Sequence, residues 1–242
     1  MNKPILSIIL TAAYEPKTIG KAIRNLILTS KAFLKNDFEL ITVIPDQDTV
    51  DAARNIVKNE FRKVNWINII DPHKGKPNAL NMAFKIAKGQ YLLLSDGDVH
   101  VSKDCLPAMF DHFKDKKVGA VTGRPVSADP REKYWGYLSH LLADGAHHKR
   151  MVAMTKNPQG HSLKFVSQKP NFFVLSGYLS LIRNLKFNIP NDCLVDDAYL
   201  SYIIHNKGYY LTYEPNAKVY VKYPATLKDW FDQKARSVGG YM

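Results

Sequence analysis

Apolar and polar positions follow two rhythms along the first hundred residues. Residues 5–10, 38–44, 64–70 and 91–94 are short apolar runs without strict alternation, as in strands covered on both faces of a sheet. Between them apolar residues recur at helical spacing. Ile19, Ala22, Ile23, Leu26 and Ile27 form one set, Val50, Ala53, Ile56 and Val57 a second, and Leu80, Ala83, Ile86 and Ala87 a third. Thr18 and Thr49 are placed to cap the first two helices, the third starts near Asn78, and Gly89 stands where a helix-ending glycine belongs. Strands alternating with helices of this length predict right-handed βαβ units and a mainly parallel sheet. Ligands of such sheets lie beyond the carboxyl ends of the strands. Those ends are residues 11–15, 46–48 and 96–98, all polar or acidic, so they are expected to meet in one crevice.

The second half is less regular. Ser102 is placed to cap a helix with Leu106, Phe110 and Phe113 inward, and residues 118–122 read as a strand. Asp129 and Glu132 have capping-box spacing, with Pro130 at the first helical position of a helix running to about residue 142. Residues 143–168 read as a mobile loop or lid; its adjacent His147 and His148 would point apart on regular structure and make a weak metal pair. Gly177 interrupts an apolar stretch over 172–182, as a bulge or a close ligand approach would require. A helix opening at 195–200 turns Leu200, Ile203 and Ile204 inward and ends at Gly208. Residues 209–213 and 217–223 read as two strands, and a last helix from 226 puts Gln233 and Arg236 on one face. No repeat or low-complexity linker divides the chain.

Composition narrows the classes. With 242 residues, 45% hydrophobic and 11% aromatic, the chain is neither disordered, collagenous nor a disulfide scaffold. Cys105 and Cys193 stand far apart without metal-ligand spacing and read as reduced thiols of a cytosolic protein. Met1-Asn2-Lys3-Pro4 reads as running straight into a strand, so no leader is expected, and no apolar stretch approaches the roughly 20 residues of a membrane span. The positive residues behind the net charge of +12 are scattered and mostly read as solvated faces; attraction to nucleotide phosphates or an anionic membrane surface is the sharper reading, and no motif for nucleic acid accompanies it.

The candidate chemistry centres on Asp96-Gly97-Asp98, where the run from Tyr91 breaks. Asp-Gly between apolar segments is a strong hairpin signal. Two carboxylates spaced by a glycine can also converge on one hard cation. Asp196 and Asp197 begin a helix, where they face the positive end of its dipole.

The order of these motifs resembles that of family 2 glycosyltransferases with the GT-A fold. Tyr14-Glu15-Pro16 and its helix resemble the family's opening. Asp46-Gln-Asp-Thr-Val-Asp51 resembles its Asp-Asp-Gly-Ser-x-Asp turn, with Gln47 and Asp48 departing from it. Lys76-Pro-Asn-Ala-Leu-Asn81 and the run into Asp96-Gly97-Asp98 match the approach to its Asp-x-Asp. Ser176-Gly177 with Arg183 is similar to its acceptor-side strand, and Asp196-Asp197 with Leu200 and Gly208 to its Glu-Asp segment. Gln233-Lys-Ala-Arg236 resembles the Gln-x-x-Arg-Trp of membrane-associated polysaccharide synthases, with Ser237 in place of Trp.

The resemblance implies an α/β fold, a GT-A-type Rossmann-like and mostly parallel sheet flanked by helices. It implies a single domain over 1–242, with a donor lobe (1–101), an acceptor lobe (102–223) and a C-terminal amphipathic helix (224–242) suited to a membrane interface. It implies an inverting transfer from a nucleotide-diphosphate sugar, a UDP-sugar foremost, to a glycan or lipid-linked acceptor, with Mn2+ or Mg2+ as cofactor. Asp96 and Asp98 would hold the metal and Asp197 would be the base. Ala13, Tyr14, Glu15, Asp46, Lys76, Asp96, Gly177, Asp196, Gln233 and Arg236 would bind substrate. The protein would work in the cytoplasm, on the cytoplasmic membrane face, or as part of a longer membrane protein. A sugar-phosphate nucleotidyltransferase is disfavoured, because no glycine-rich phosphate loop follows the first strand. A non-catalytic nucleotide-sugar-binding scaffold gains from Gln47 and Ser237 and loses to the intact Asp96, Asp98 and Asp197.

Overall fold

The computed structural model describes residues 3–155 and 174–239. Strands β1 (Leu6–Thr11), β2 (Phe38–Ile44), β3 (Asn65–Ile70) and β4 (Tyr91–Asp96) alternate with helices α1 (Ile19–Leu34), α2 (Gln47–Glu60) and α3 (Lys76–Ile86). They are followed by β5 (His100–Val101), α4 (Cys105–Asp111), a 3-10 turn (His112–Lys114), β6 (Val118–Ser127) and α5 (Tyr134–Thr155). β7 (Leu179–Arg183), α6 (Asp196–Asn206), β8 (Tyr210–Val221) and α7 (Leu227–Gly239) complete the described chain. One eight-stranded sheet results, in the order β3-β2-β1-β4-β7-β6-β8-β5. β3, β2, β1 and β4 pair in parallel, β7 runs against both β4 and β6, and β6 and β8 are again parallel.

The pleat sorts side chains to two faces. Leu6, Ile8 and Leu10 of β1 join one core with the inward sides of α1, α2 and α4; Ile9 joins the other with α3 and α6. The core faces hold the helices more than the caps do. Thr18 is the N-cap of α1 yet makes no capping hydrogen bond, an interaction worth about 1 kcal/mol. The five buried side chains Ile19, Ala22, Ile23, Leu26 and Ile27 outweigh it, at about 1.5–3 kcal/mol for each large aliphatic one.

Several local expectations need correcting. Asp46, not Thr49, caps α2: its carboxylate accepts the Thr49 N–H at 3.0 Å. Ser102 does not cap α4; Asp104 holds that position, and the Ser102 hydroxyl donates to the Asn216 carbonyl. α3 ends at Ile86 with Ala87 as its cap, so Gly89 is not its terminator. A Cβ on Gly89 would lie 2.7 Å from both the Leu6 carbonyl carbon and the Ser7 Oγ; the position needs the missing side chain to let two chain segments touch.

The Asp129–Glu132 capping box does not form. α5 begins only at Tyr134, and the Asp129 carboxylate instead accepts the Tyr223 N–H at 2.9 Å. Residues 143–155, expected to be loop, continue α5, and 156–168 lie outside the described residues. Residues 209–223 hold one strand rather than two, with register shifts against β6 absorbing the irregularity. Residues 174–178 precede β7 as coil and turn rather than strand, and 172–173 are outside the described residues. Asp96-Gly97-Asp98 closes no hairpin, because β5 pairs with β8 and not with β4.

Candidate active site

β1 and β4 run side by side with Thr11 opposite Asp96, so both end at the same level. Beyond them the chain turns at Ala12–Glu15 and at Gly97–Asp98. Gly97 is required there: an added Cβ would stand 2.6 Å from the Ala12 Cβ and collide with the Glu15 carboxylate. The Thr11 hydroxyl donates to Asp96 Oδ1 at 3.2 Å. Gly75, at φ +94°, reverses the chain after β3 and makes Lys76 the first residue of α3. From there the Lys76 Nζ donates to Asp96 Oδ1 at 2.7 Å. The carboxyl ends of β1, β3 and β4 thereby surround a cleft of about 500 Å³, a volume that accepts a nucleotide-sized ligand.

The cleft is electrostatically loaded. Burial and the nearby Asp98 and Asp96 push the Glu15 carboxyl up to about 8. Its Oε2 is buried with no hydrogen-bond partner. Desolvation and then Asp96 also raise Asp98, whose residue is exposed at the mouth. Burial opposes the charge on Lys76, but Asp96, Asp196 and Asp197 hold its pKa above the usual lysine range. Asp46 faces partial desolvation, yet the N–H groups of Tyr14, at 2.7 Å, and Thr49 keep it below the carboxylate norm. Asp46 therefore ties the Ala12–Glu15 turn to the start of α2. Tyr14 is 69% exposed at φ 59°, with its ring edge-on to His73 at 5.6 Å, on the rim of the cleft.

A second pocket shares the Lys76 and Asp96 wall. Its far side is the first turn of α6, with Asp196 and Asp197, and the turn bearing Gly177 and Tyr178. Desolvation and then Asp196 push the Asp197 carboxyl up to about 6. The Ala198 N–H donates to its Oδ1 at 2.8 Å, and that N–H and the backbone of Gly177 partly offset the rise. A Cβ on Gly177 would come 3.3 Å from Asp197 Oδ2, so that glycine admits the carboxylate. Gln233 of α7 lines the same pocket and hydrogen-bonds the Tyr178 hydroxyl, which burial and then Asp96 hold above the tyrosine norm.

The structure thus brings together Ala13, Glu15, Lys76, Asp96, Asp98, Gly177, Asp196, Asp197 and Gln233, with Tyr14 at the rim and Asp46 as a brace. Arg236 falls on the same helix as Gln233, and its side chain lies outside the described part of the molecule. Asp71, His73 and Tyr178 line the cleft without having been singled out from sequence. The signal for Asp71 and His73 was available: they follow β3 at the same edge of the sheet as the other acidic strand ends.

Among the described residues no group of three or more His, Cys, Asp or Glu is placed to hold a metal ion. Two carboxylates nonetheless fit a divalent cation of the magnesium type, which takes one or two protein carboxylates and completes its shell with substrate phosphates and water. Burial first, and then crowded negative charge, hold the Asp98 and Glu15 carboxyls above the usual carboxylate range, with Lys76 as an opposing positive charge.

An open, mostly parallel sheet with an acidic crevice at its strand ends and a half-buried carboxylate facing it is the architecture of GT-A sugar-transferring enzymes. Residues 7–188 match the family model for glycosyl transferase family 2, and the chain belongs to that family. It is 26% identical over 247 residues to the poly-beta-1,6-N-acetyl-D-glucosamine synthase of Staphylococcus aureus (strain COL), covering 97% of this chain and 54% of that protein. The Staphylococcus epidermidis protein of the same name is 24% identical over 242 residues with the same coverage. The chain thus spans about half the length of the curated relatives it matches. Among solved structures it resembles a mannosyltransferase from Pyrobaculum calidifontis in complex with GDP-Man and Mn2+. The TM-score is 0.74 at 16% identity, over 100% of this chain and 63% of that one. S. aureus TarS 1-349 gives 0.61 at 17% identity, over 96% and 64%. At these identities the structural likeness speaks for the fold.

Proposed function

We propose that this chain is the catalytic domain of an inverting, divalent-cation-dependent glycosyltransferase. It moves a sugar from a nucleotide-diphosphate sugar to a hydroxyl of a glycan or lipid-linked acceptor. A UDP-sugar is the favoured donor, since the curated relatives are named for a polymer of N-acetylglucosamine, a sugar activated on UDP. One observation carries this reading. Lys76 and Asp96 line both the nucleotide-sized cleft and the pocket containing Asp197, so one bound sugar can face a diphosphate on one side and a base on the other.

The steps follow from the side chains. Tyr14 and His73 flank the nucleobase at the rim, and Lys76 contributes positive charge toward the diphosphate. Asp197, ionised above about pH 6, takes the acceptor hydroxyl proton as that oxygen bonds to the anomeric carbon. The bond from that carbon to the phosphate oxygen breaks, and the nucleoside diphosphate leaves with the bonding pair. Attack opposite the departing group inverts the configuration. A divalent cation, held by Asp96 and Asp98, would neutralise the diphosphate as a Lewis acid.

Calorimetry and turnover with UDP-N-acetylglucosamine and GDP-mannose, in Mn2+ or in chelator, test the reading. Asp197→Asn should bind donor as the wild type does and transfer at least about 100-fold more slowly. Asp98→Ala should lose the cation-dependent part of binding. Wild-type turnover by Asp197→Asn, or full activity in chelator, sinks the corresponding assignment.

The same reading extends to a membrane surface. No helix among the described residues is long and apolar enough to cross a membrane. α7 nevertheless exposes Leu227 and Phe231 by 63% and 71%, one turn apart with Lys228 beside them, and α5 exposes Tyr134, Tyr137 and Leu141 at helical spacing. Co-sedimentation with anionic phosphatidylglycerol vesicles should be salt-sensitive and should fall several-fold in a Leu227→Ser, Phe231→Ser double variant. Absence of binding at low salt would refute the docking.

A further inference from the structure

Residues 174–178 carry Gly177 against Asp197, yet they form no strand ladder before Leu179. Buried hydroxyls take the place of that ladder. The Leu175 N–H donates to Ser201 Oγ at 2.9 Å, and the Ser176 N–H donates to Thr122 Oγ1 at 2.8 Å. The Ser180 hydroxyl returns to the Ser176 carbonyl at 2.9 Å, and the Tyr178 N–H reaches Ser176 Oγ at 3.4 Å. Ser201 and Thr122 are both fully buried. Ser201 does a second thing: its hydroxyl donates to the Asp197 carbonyl, one turn earlier in α6, at 2.6 Å.

We propose that Ser201 and Thr122 are positioning residues for Asp197, two hydroxyls that lock the Gly177 turn against the first turn of α6. Ser201 joins the backbone of the carboxylate residue to the backbone of the turn whose Gly177 packs against that carboxylate. Thr122 fixes the same turn from β6, one residue further along. A hydroxyl that donates to one segment and accepts from another sets their separation, and buried N–H groups left without acceptors force the turn to move. The inference rests on Asp197 being the base of the proposed transfer.

The test uses Thr122→Val, which keeps the shape and removes the hydroxyl, Thr122→Ser, which restores it, and Ser201→Ala. Each is assayed by nucleoside diphosphate release from whichever of UDP-N-acetylglucosamine and GDP-mannose the wild type turns over, with Asp197→Asn in parallel. Loss of either hydroxyl should lower kcat about tenfold with donor KM unchanged, as a displaced catalytic group does. Thr122→Ser should return to near the wild-type rate, and amide exchange over 174–178 should quicken in Thr122→Val and Ser201→Ala alone. If Asp197→Asn is silent while Thr122→Val and Ser201→Ala keep wild-type kcat, the positioning role is overturned and the base stands. Thr122→Ser as slow as Thr122→Val also overturns it, as does a donor KM that rises by the factor kcat falls. Turnover in Asp197→Asn removes the base and this inference together. Should Ser201→Ala fail to fold, the Thr122 pair decides.

Discussion

Glu15 carries its proton into the neutral range because it is buried beside Asp98 and Asp96, and its Oε2 has no partner. The sign of the consequence is fixed. With a folded value near 8 and an ordinary value of 4.5, the native state binds more protons than the unfolded state between those limits. Stability contributed by this group is therefore complete below about pH 4.5 and is lost as pH rises through 8. Glu15→Gln, a permanent copy of the neutral form, should melt a few degrees above the wild type at pH 9 and together with it at pH 4.5. Parallel melting curves across that range would show Glu15 to be ordinarily ionised. The presence of an acid after the first strand was legible in the sequence. Its protonation was not, because that depends on Asp96 and Asp98, more than 80 residues away, closing over it.

At the scale of elements, legibility followed periodicity. β2 was read to its true limits and the other early strands to within a residue or two, because apolar runs and helical faces alternate cleanly through residue 101. α5 was cut short because residues 143–155 are rich in small and polar residues. Tertiary contacts extend it: Ala143 is buried, and His147 Nδ1 lies 2.8 Å from the hydroxyl of the buried Tyr213. The capping box failed because Asp129 has a stronger use, joining the end of β6 to the segment after β8. Gly89 shows the same competition. It was read as a helix stop and is instead a contact point, where its N–H donates to Ser7 Oγ at 2.8 Å and Ser7 donates to the buried Glu39 at 2.6 Å. Gly89→Ala forces apart the starts of β1 and β4. It should cost about 3 kcal/mol, read as a lowered urea midpoint with unchanged slope. A midpoint within error of the wild type would mean that the backbone yields without cost.

At the scale of the molecule, the nucleotide-sized cleft was legible because it is assembled from strand ends that a parallel sheet brings to one edge. The opposing wall was less so. Asp197 could be named, but nothing local announced that the turn at Gly177 would reach it, or that hydroxyls from β6 and α6 would hold that turn. The reason is the one reversed strand between β4 and β6. Because β7 runs backwards, with Leu179 opposite Ser95, it delivers the turn before it, not the one after it, to the crevice. The two walls are thus inherited separately. Changing residues 174–178 alters what stands opposite the cleft while the ladders among β3, β2, β1 and β4 remain as they are. The wall facing the cleft can therefore be rebuilt in one short connection while the strand ends that form the cleft stay where they are.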